Sequence, residues 1–146
     1  MRWVTYRTGD GDRAGVVVDE TIHAMPPGTE LIDLVALGAD GLRDAGERAL
    51  RDPSEVVPLS DVVLRAPIPR PPAIRDCLCF LDHMRNCQEA LGGGRVLKDA
   101  WYRIPAFYFA NPSAVFGPYD DVPTAPGSAG QDFAPVTGAV LGSGRT

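Results

Sequence analysis

The stretch IRDCLCFLDHMRNC, residues 74–87, gathers three cysteines, one histidine and two aspartates, and three chemistries fit those residue types. Cys77, Cys79, His83 and Cys87 form C-x-C-x3-H-x3-C, four ligands of the kinds zinc prefers. Structural zinc sites, however, usually join ligand pairs from separate turns, commonly as C-x2-C. Asp76 and His83 offer a second possibility, an oxygen ligand for a hard cation and a base for a nearby water. The same two residues also make an ordinary surface ion pair. In the third reading positions 77–81 are all apolar, and free cysteine packs as a small hydrophobe. Residues 74–83 are then a strand buried on both faces that turns into a helix or loop near His83, with the cysteines as packing residues. The spacing favours this last reading for the cysteines.

The elements that must position these residues are short. WVTYR (3–7) and AGVVV (14–18) flank TGDGDR and predict an N-terminal hairpin. ELIDLVALG (30–38) predicts a helix with Thr29 as N-cap and Gly38 as its stop. In DGLRDAGERALRD (40–52), Leu42, Ala45, Ala49 and Leu50 share one face, and Asp44–Arg48 and Glu47–Arg51 are i,i+4 pairs. This predicts an amphipathic helix ended before Pro53. VVPLSDVVLRAP predicts an extended pair or one interrupted strand. Four prolines within 66–72 make a stiff, extended connector. The chain therefore divides into a small α+β domain (1–65), a proline-rich linker (66–72) and a second unit (73–146). In the second unit CQEALGGGR ends a short helix, FYFA (107–110) is a short strand, and GPYDDVPTAPGS is loop.

Composition narrows the function classes. The chain has 146 residues, with 14 Lys and Arg against 19 Asp and Glu, for a net charge of -5. That balance argues against nucleic-acid or anionic-membrane partners, which need clustered positive charge. The N-terminus carries no apolar leader and no run is long enough for a membrane span, so the expected location is cytoplasmic. An odd number of bunched cysteines does not make an extracellular disulfide framework. His23 reads as a surface or strand-end residue, Asp82 and Glu89 as solvated charges, Tyr119-Asp120-Asp121 as a turn, and GGGR (92–95) as a flexible linker.

Larger blocks carry a resemblance. PIPRPPAIRDCLCFLDHMRNC followed by WYRIPAFYFANPSAVFGPYDDVPTAPGS resembles the start of the catalytic domain of the fumarylacetoacetate hydrolase family. Asp76, Phe80 and His83 fall at that family's Asp-x3-Phe-x2-His spacing, and the likeness extends to about Phe133. It implies a mainly β, α+β protein in which a small N-terminal domain precedes the first part of a mixed β-roll. It also implies a site that binds magnesium, or manganese or calcium, and chelates a dicarbonyl or 2-oxo acid whose carbon–carbon bond is cleaved by water in catabolism. By this resemblance Asp76 is a metal ligand, His83 the catalytic base and Tyr108 a substrate-binding residue, and the family commonly forms homodimers.

The chain departs from the family pattern after Asp132 and Phe133. The family has a Glu-x-Glu there, and this chain has Ala134, Pro135 and Val136. Neither Ala nor Val can ligate a cation, and one carboxylate holds a hard dication feebly. The expectation is a truncated or frame-shifted hydrolase, inactive alone. The alternative is a non-catalytic module for dimerisation or partner binding. An incomplete core in the second unit should leave apolar surface uncovered.

Overall fold

The computed structural model describes residues 1–142 and separates into two units. One is Met1–Arg70 together with the chain from Val115 onward, and the other is Pro71–Ala114. The protein is α+β and mainly β, built on a curled antiparallel sheet.

In the first unit β1 (Arg2–Thr8) and β2 (Gly11–Val18) pair in full register from Arg2↔Val17 to Thr8↔Gly11. The turn between them is Gly9-Asp10, and Thr8 Oγ1 donates to the Gly11 carbonyl at 2.9 Å across it. A second hairpin joins β2 to β3 (Thr21–Ala24) through Asp19, whose φ of 49° lies in the left-handed region Asp tolerates. The sequence reading has no strand here, and His23 lies within it, half-buried. β4 (Val56–Pro58) and β5 (Val63–Leu64) then occupy the two outer positions of the order β4-β3-β2-β1-β5.

That order explains the curl. Four inter-strand steps of about 4.8 Å would put the edges of a flat sheet about 19 Å apart. The chain from β4 to β5 contains a 3-10 turn, Leu59–Asp61, which rises only roughly 2 Å per residue. So short a link reaches from one edge to the other only if the sheet bends to bring its edges together. Val57, Leu59, Val62 and Leu64 thereby cover Tyr6, Val17, Ile22 and Ala24 on the concave side. Pro58 and the brevity of both outer strands also blunt the edges against stray pairing.

On the other face lie α1 (Leu31–Ala36) and α2 (Gly38–Arg51). Ala14, Val16, Met25, Leu31, Leu34, Ala45 and Ala49 form the core there, with Trp3, Leu42 and Leu50 packed against it. The face predicted for α2 is the buried one. Gly38 has φ 78°, so it ends α1 and lets α2 begin at once. The cap of α1 is Glu30 rather than Thr29, and no side chain closes it. On α2, Arg43 bridges Asp40 at 3.0 Å and Asp44 at 3.8 Å, in place of the i,i+4 pairs the spacing offered.

Two polar devices secure this unit. Arg13, nearly buried, donates from Nε to the Met25 carbonyl at 2.6 Å and from a terminal nitrogen to Glu55 Oε2 at 3.1 Å. Arg65 donates to Asp120 Oδ2 at 2.9 Å, and the same oxygen accepts the Gly117 backbone N–H at 2.7 Å. The Tyr-Asp-Asp segment thus forms the expected turn, and its Asp120 fastens the chain beyond Val115 to β5.

The second unit contains β6 (Ile74–Cys77), α3 (Leu81–Ala90), α4 (Asp99–Arg103) and β7 (Phe107–Ala110). β6 and β7 form a two-stranded antiparallel sheet with Ile74 opposite Ala110 and Cys77 opposite Phe107. Leu97 is its one buried apolar side chain among the described residues. The strand expected to be buried on both faces is therefore exposed, and Cys77, Cys79 and Cys87 are exposed rather than packed. An apolar run records a preference for burial. Two strands and two short helices supply no layer to satisfy it.

Candidate functional site

The residues singled out by spacing all lie in the second unit. Asp76 and Tyr108 are direct partners across the β6–β7 ladder, so both side chains leave the same face, flanked by Ile74 and Ala110. The backbone N–H of Leu78 donates to the Ala106 carbonyl at 2.9 Å, extending the ladder beyond Cys77 and holding that register. Trp101, on α4, donates from its indole nitrogen to the Leu78 carbonyl at 3.1 Å. The turn out of β6 is therefore fixed from both sides of Leu78.

His83 sits in the first turn of α3, which begins after Phe80, an N-cap residue whose side chain is largely exposed. Its imidazole meets no carboxylate within hydrogen-bond or ion-pair distance among the described residues. Its partner is Cys87, one turn on, with the sulfur 3.6 Å from Nε2 and 3.9 Å from Nδ1. Asp82 pairs instead with Arg85 at 3.5 Å, and Glu89 with Arg95 at 2.7 Å. Arg95 also donates to Asn86 Oδ1 at 2.9 Å, so the GGGR segment, read as a flexible linker, folds back onto the end of α3. Gly92 and Gly94, at φ 79° and 73°, permit that reversal.

The opposite face of the β6–β7 sheet carries a feature that sequence reasoning missed. The Arg75 guanidinium lies 4.0 Å from the Phe109 ring centre and 5.5 Å from that of Phe107, and the two rings are 5.0 Å apart. Phe107 and Phe109 are i,i+2 on one strand, and Arg75 is the cross-strand partner of Phe109. The signal is a charged residue in β6 set against alternate aromatics in β7, visible only once the register is known.

No group of three or more His, Cys, Asp or Glu side chains is close enough to hold a metal ion among the described residues. The zinc set Cys77, Cys79, His83 and Cys87 is not brought together as a group. Magnesium, which demands near-octahedral oxygen coordination, finds one carboxylate at Asp76. Ala134 and Val136 carry no ligating atom. The residues present do not fit a magnesium shell. A cavity of about 10 Å³ in the first unit, lined by Thr5, Asp12 and Leu31 among others, has room for one water at most. An open depression beside Asp99, Tyr102 and Arg103 includes none of the residues assigned by resemblance.

No helix among the described residues is long and apolar enough to cross a membrane. No family model matches the chain, and no curated protein matches it.

Proposed function

We propose that residues 73–133 correspond to the first part of a fumarylacetoacetate-hydrolase-like catalytic domain. Its reaction is metal-dependent hydrolysis of a carbon–carbon bond in a dicarbonyl or 2-oxo acid, and residues 1–142 do not perform it unaided. The observation that carries the reading is the pairing of Asp76 with Tyr108. Two residues far apart in sequence, assigned by resemblance to the metal and to the substrate, leave adjacent strands on one face. His83 lies in the first turn of the helix that follows the same strand, and an imidazole is a side chain that can take a proton from water. One carboxylate is too few for the cation, so turnover needs oxygen ligands these residues do not supply.

Two measurements test the halves of this proposal separately. The purified chain is incubated with an acylpyruvate and magnesium or manganese, and substrate absorbance is followed. No metal-dependent loss is expected, and hydrolysis that disappears in His83→Gln refutes the claim of inactivity. Reading the coding DNA past codon 133 in all three frames tests the kinship. A Glu-x-Glu block followed by further coding sequence supports it, and the absence of one in every frame counts against it.

A second reading, a non-catalytic dimerisation or partner-binding module, is favoured by one observation. Tyr108 and Phe109 are each 66% exposed and lie on opposite faces of the β6–β7 sheet. Apolar surface of this kind gains free energy when covered. Light scattering coupled to size exclusion separates the readings: a concentration-independent dimer supports a module, and a polydisperse profile with strong dye binding speaks against it.

A further inference from the structure

We propose that the outer edge of β7 pairs antiparallel with the same strand of a second copy of this chain, making one sheet in the order β6-β7-β7-β6 across a two-fold axis at Tyr108. The inference rests on the second reading above, a dimerisation module, and names the surface that reading requires. The register shows which backbone groups are free. Leu78 donates to the Ala106 carbonyl, so the hydrogen-bonded pairs of the ladder are those in step with it, Asp76–Tyr108 and Ile74–Ala110. Arg75–Phe109 and Cys77–Phe107 lie between them, and their N–H and C=O groups point outward. The 4.0 Å stack of Arg75 on Phe109 agrees, because side chains stand closest in such pairs. On β7 the outward groups belong to Phe107 and Phe109, and no further strand among the described residues pairs with them.

Two such edges fit each other. An axis perpendicular to the sheet at Tyr108 sets Phe107 opposite Phe109 of the partner subunit, and Phe109 opposite the partner's Phe107. Each of these pairs exchanges both of its main-chain hydrogen bonds, which satisfies every outward group of Phe107 and Phe109. The phenyl rings of the two copies then meet on one face, and Tyr108 meets the partner's Tyr108 on the other; aromatic cross-strand pairs are favoured. Phe107 is 42% exposed and Tyr108 and Phe109 are each 66% exposed, so apolar surface is there to be covered. Pro105 and Pro112 bound the segment, which confines the pairing to this short strand.

Charge selects this edge over the other. β7 reads FYFA and carries no formal charge, so self-pairing sets no like charges opposite and nothing on the strand selects a charged peptide instead. β6 also has outward groups, at Arg75 and Cys77. Its self-pairing about Asp76 would set two carboxylates opposite each other, and about Arg75 two guanidiniums. Charged residues are a common guard on edge strands, and β6 has them where β7 has none. The dimer presents β6 at both outer edges, so growth stops there.

Light scattering over a dilution series of the full chain reads the association, and the wild type is expected to be a dimer that dissociates on dilution. Tyr108→Lys places a cation beside Asp76 within its own copy, which supports the hairpin, but sets two lysines face to face across the axis. Its dissociation constant is expected to rise about tenfold or more. Tyr108→Glu is expected to weaken the dimer likewise, and mixing the two variants to restore it, because an axis at position 108 sets each new charge against its opposite. Hydrogen exchange of the wild type needs no variant: the Phe107 and Phe109 amides should be protected in the dimer and released on dilution. A dimer that both variants leave intact, no recovery on mixing, or exchange unchanged on dilution overturns this inference and leaves the module reading standing. A wild type that stays monomeric at every concentration, or grows past a dimer, overturns both.

Discussion

Arg13 offers the sharpest test of how the first unit is held together. Its side chain is 9% exposed, yet it carries a full charge. One bond, Nε to the Met25 carbonyl at 2.6 Å, is enclosed. The other, to Glu55 Oε2 at 3.1 Å, reaches a carboxylate whose side chain is 53% exposed. A hydrogen bond from a charged donor is worth about 1.5–3 kcal/mol. A half-solvated ion pair adds no more than about 1 kcal/mol. Arg13→Met keeps much of the volume and the packing of the stem, so its cost reports mainly the carbonyl left without a donor. The expected loss is about 2–3 kcal/mol. Glu55→Gln keeps a hydrogen-bond acceptor and removes only charge, for a loss under about 1 kcal/mol.

Urea unfolding followed by Trp3 fluorescence reads the first unit, provided Trp101 is changed to Phe in every variant so that one indole remains. With a slope of about 1 kcal/mol per molar urea, typical of small domains, Arg13→Met moves the midpoint down by about 2–3 M and Glu55→Gln by less than about 1 M. The rank order carries the test. If Glu55→Gln costs as much as Arg13→Met, the ion pair rather than the carbonyl bond holds the loop, and the reasoning from exposure fails. If Arg13→Met costs under about 0.5 kcal/mol, the buried carbonyl is satisfied by another route.

Tyr6, the cross-strand partner of Arg13, is buried with its hydroxyl unpartnered. Burial pushes its phenol above the ordinary 10.0, the Arg13 charge opposes the rise and Glu55 adds to it. A raised folded value means stability is intact below pH 10.0 and is lost as pH climbs from there through the folded pKa. Tyr6→Phe should therefore be neutral or slightly stabilising at pH 7 and should flatten the alkaline fall in Tm; an unchanged alkaline fall refutes the assignment. Gly15→Ala should cost about 1–3 kcal/mol, because a Cβ there runs into the Ile22 side chain and stands 3.2 Å from the His23 carbonyl oxygen. A urea midpoint equal to wild type would show that β3 yields freely. Magnesium at about 10 mM should raise the unfolding free energy by less than about 0.4 kcal/mol, the linkage value when ligand concentration equals Kd. A larger shift that vanishes in Asp76→Asn would show that the cation is held after all.

Features written into short spans of sequence were readable in advance. The buried face of α2 follows from Leu42, Ala45, Ala49 and Leu50, and its end from Pro53. The β1–β2 hairpin follows from the glycine-rich turn between two β-branched runs. β3 was not legible, because four residues between an Asp-Glu turn and a proline pair give too short a run for alternation to show. α4 is only five residues long and is followed closely by Pro105, too short a span for a helical period to show in the sequence. The cysteines mark a different limit: composition says what a segment would bury, and only the presence of a covering layer decides whether it does. The pairing of Asp76 with Tyr108 depends on long-range register, which no local pattern specifies, whereas the His83–Cys87 contact was implicit in a four-residue spacing once α3 is helical.

The two units show why the site and the core part company. In the first, a ten-residue strap from Glu55 to Leu64 feeds both edges of one sheet and closes its concave face over Tyr6 and Ile22. In the second, a sheet of two strands exposes Asp76 and Tyr108 on one face and the Arg75–Phe109 stack on the other. A two-stranded sheet is marginal in water, and burying each exposed aromatic side chain would return about 1.5–3 kcal/mol. A layer over the aromatic face would therefore stabilise the ladder without touching Asp76. A layer over the Asp76 face would instead lower the local dielectric around a carboxylate, which costs free energy unless that layer brings a cation or a donor. Covering the first face is a packing problem that any apolar surface can solve. Covering the second requires matched charge, so an apolar layer without a cation or a donor would be disfavoured over Asp76.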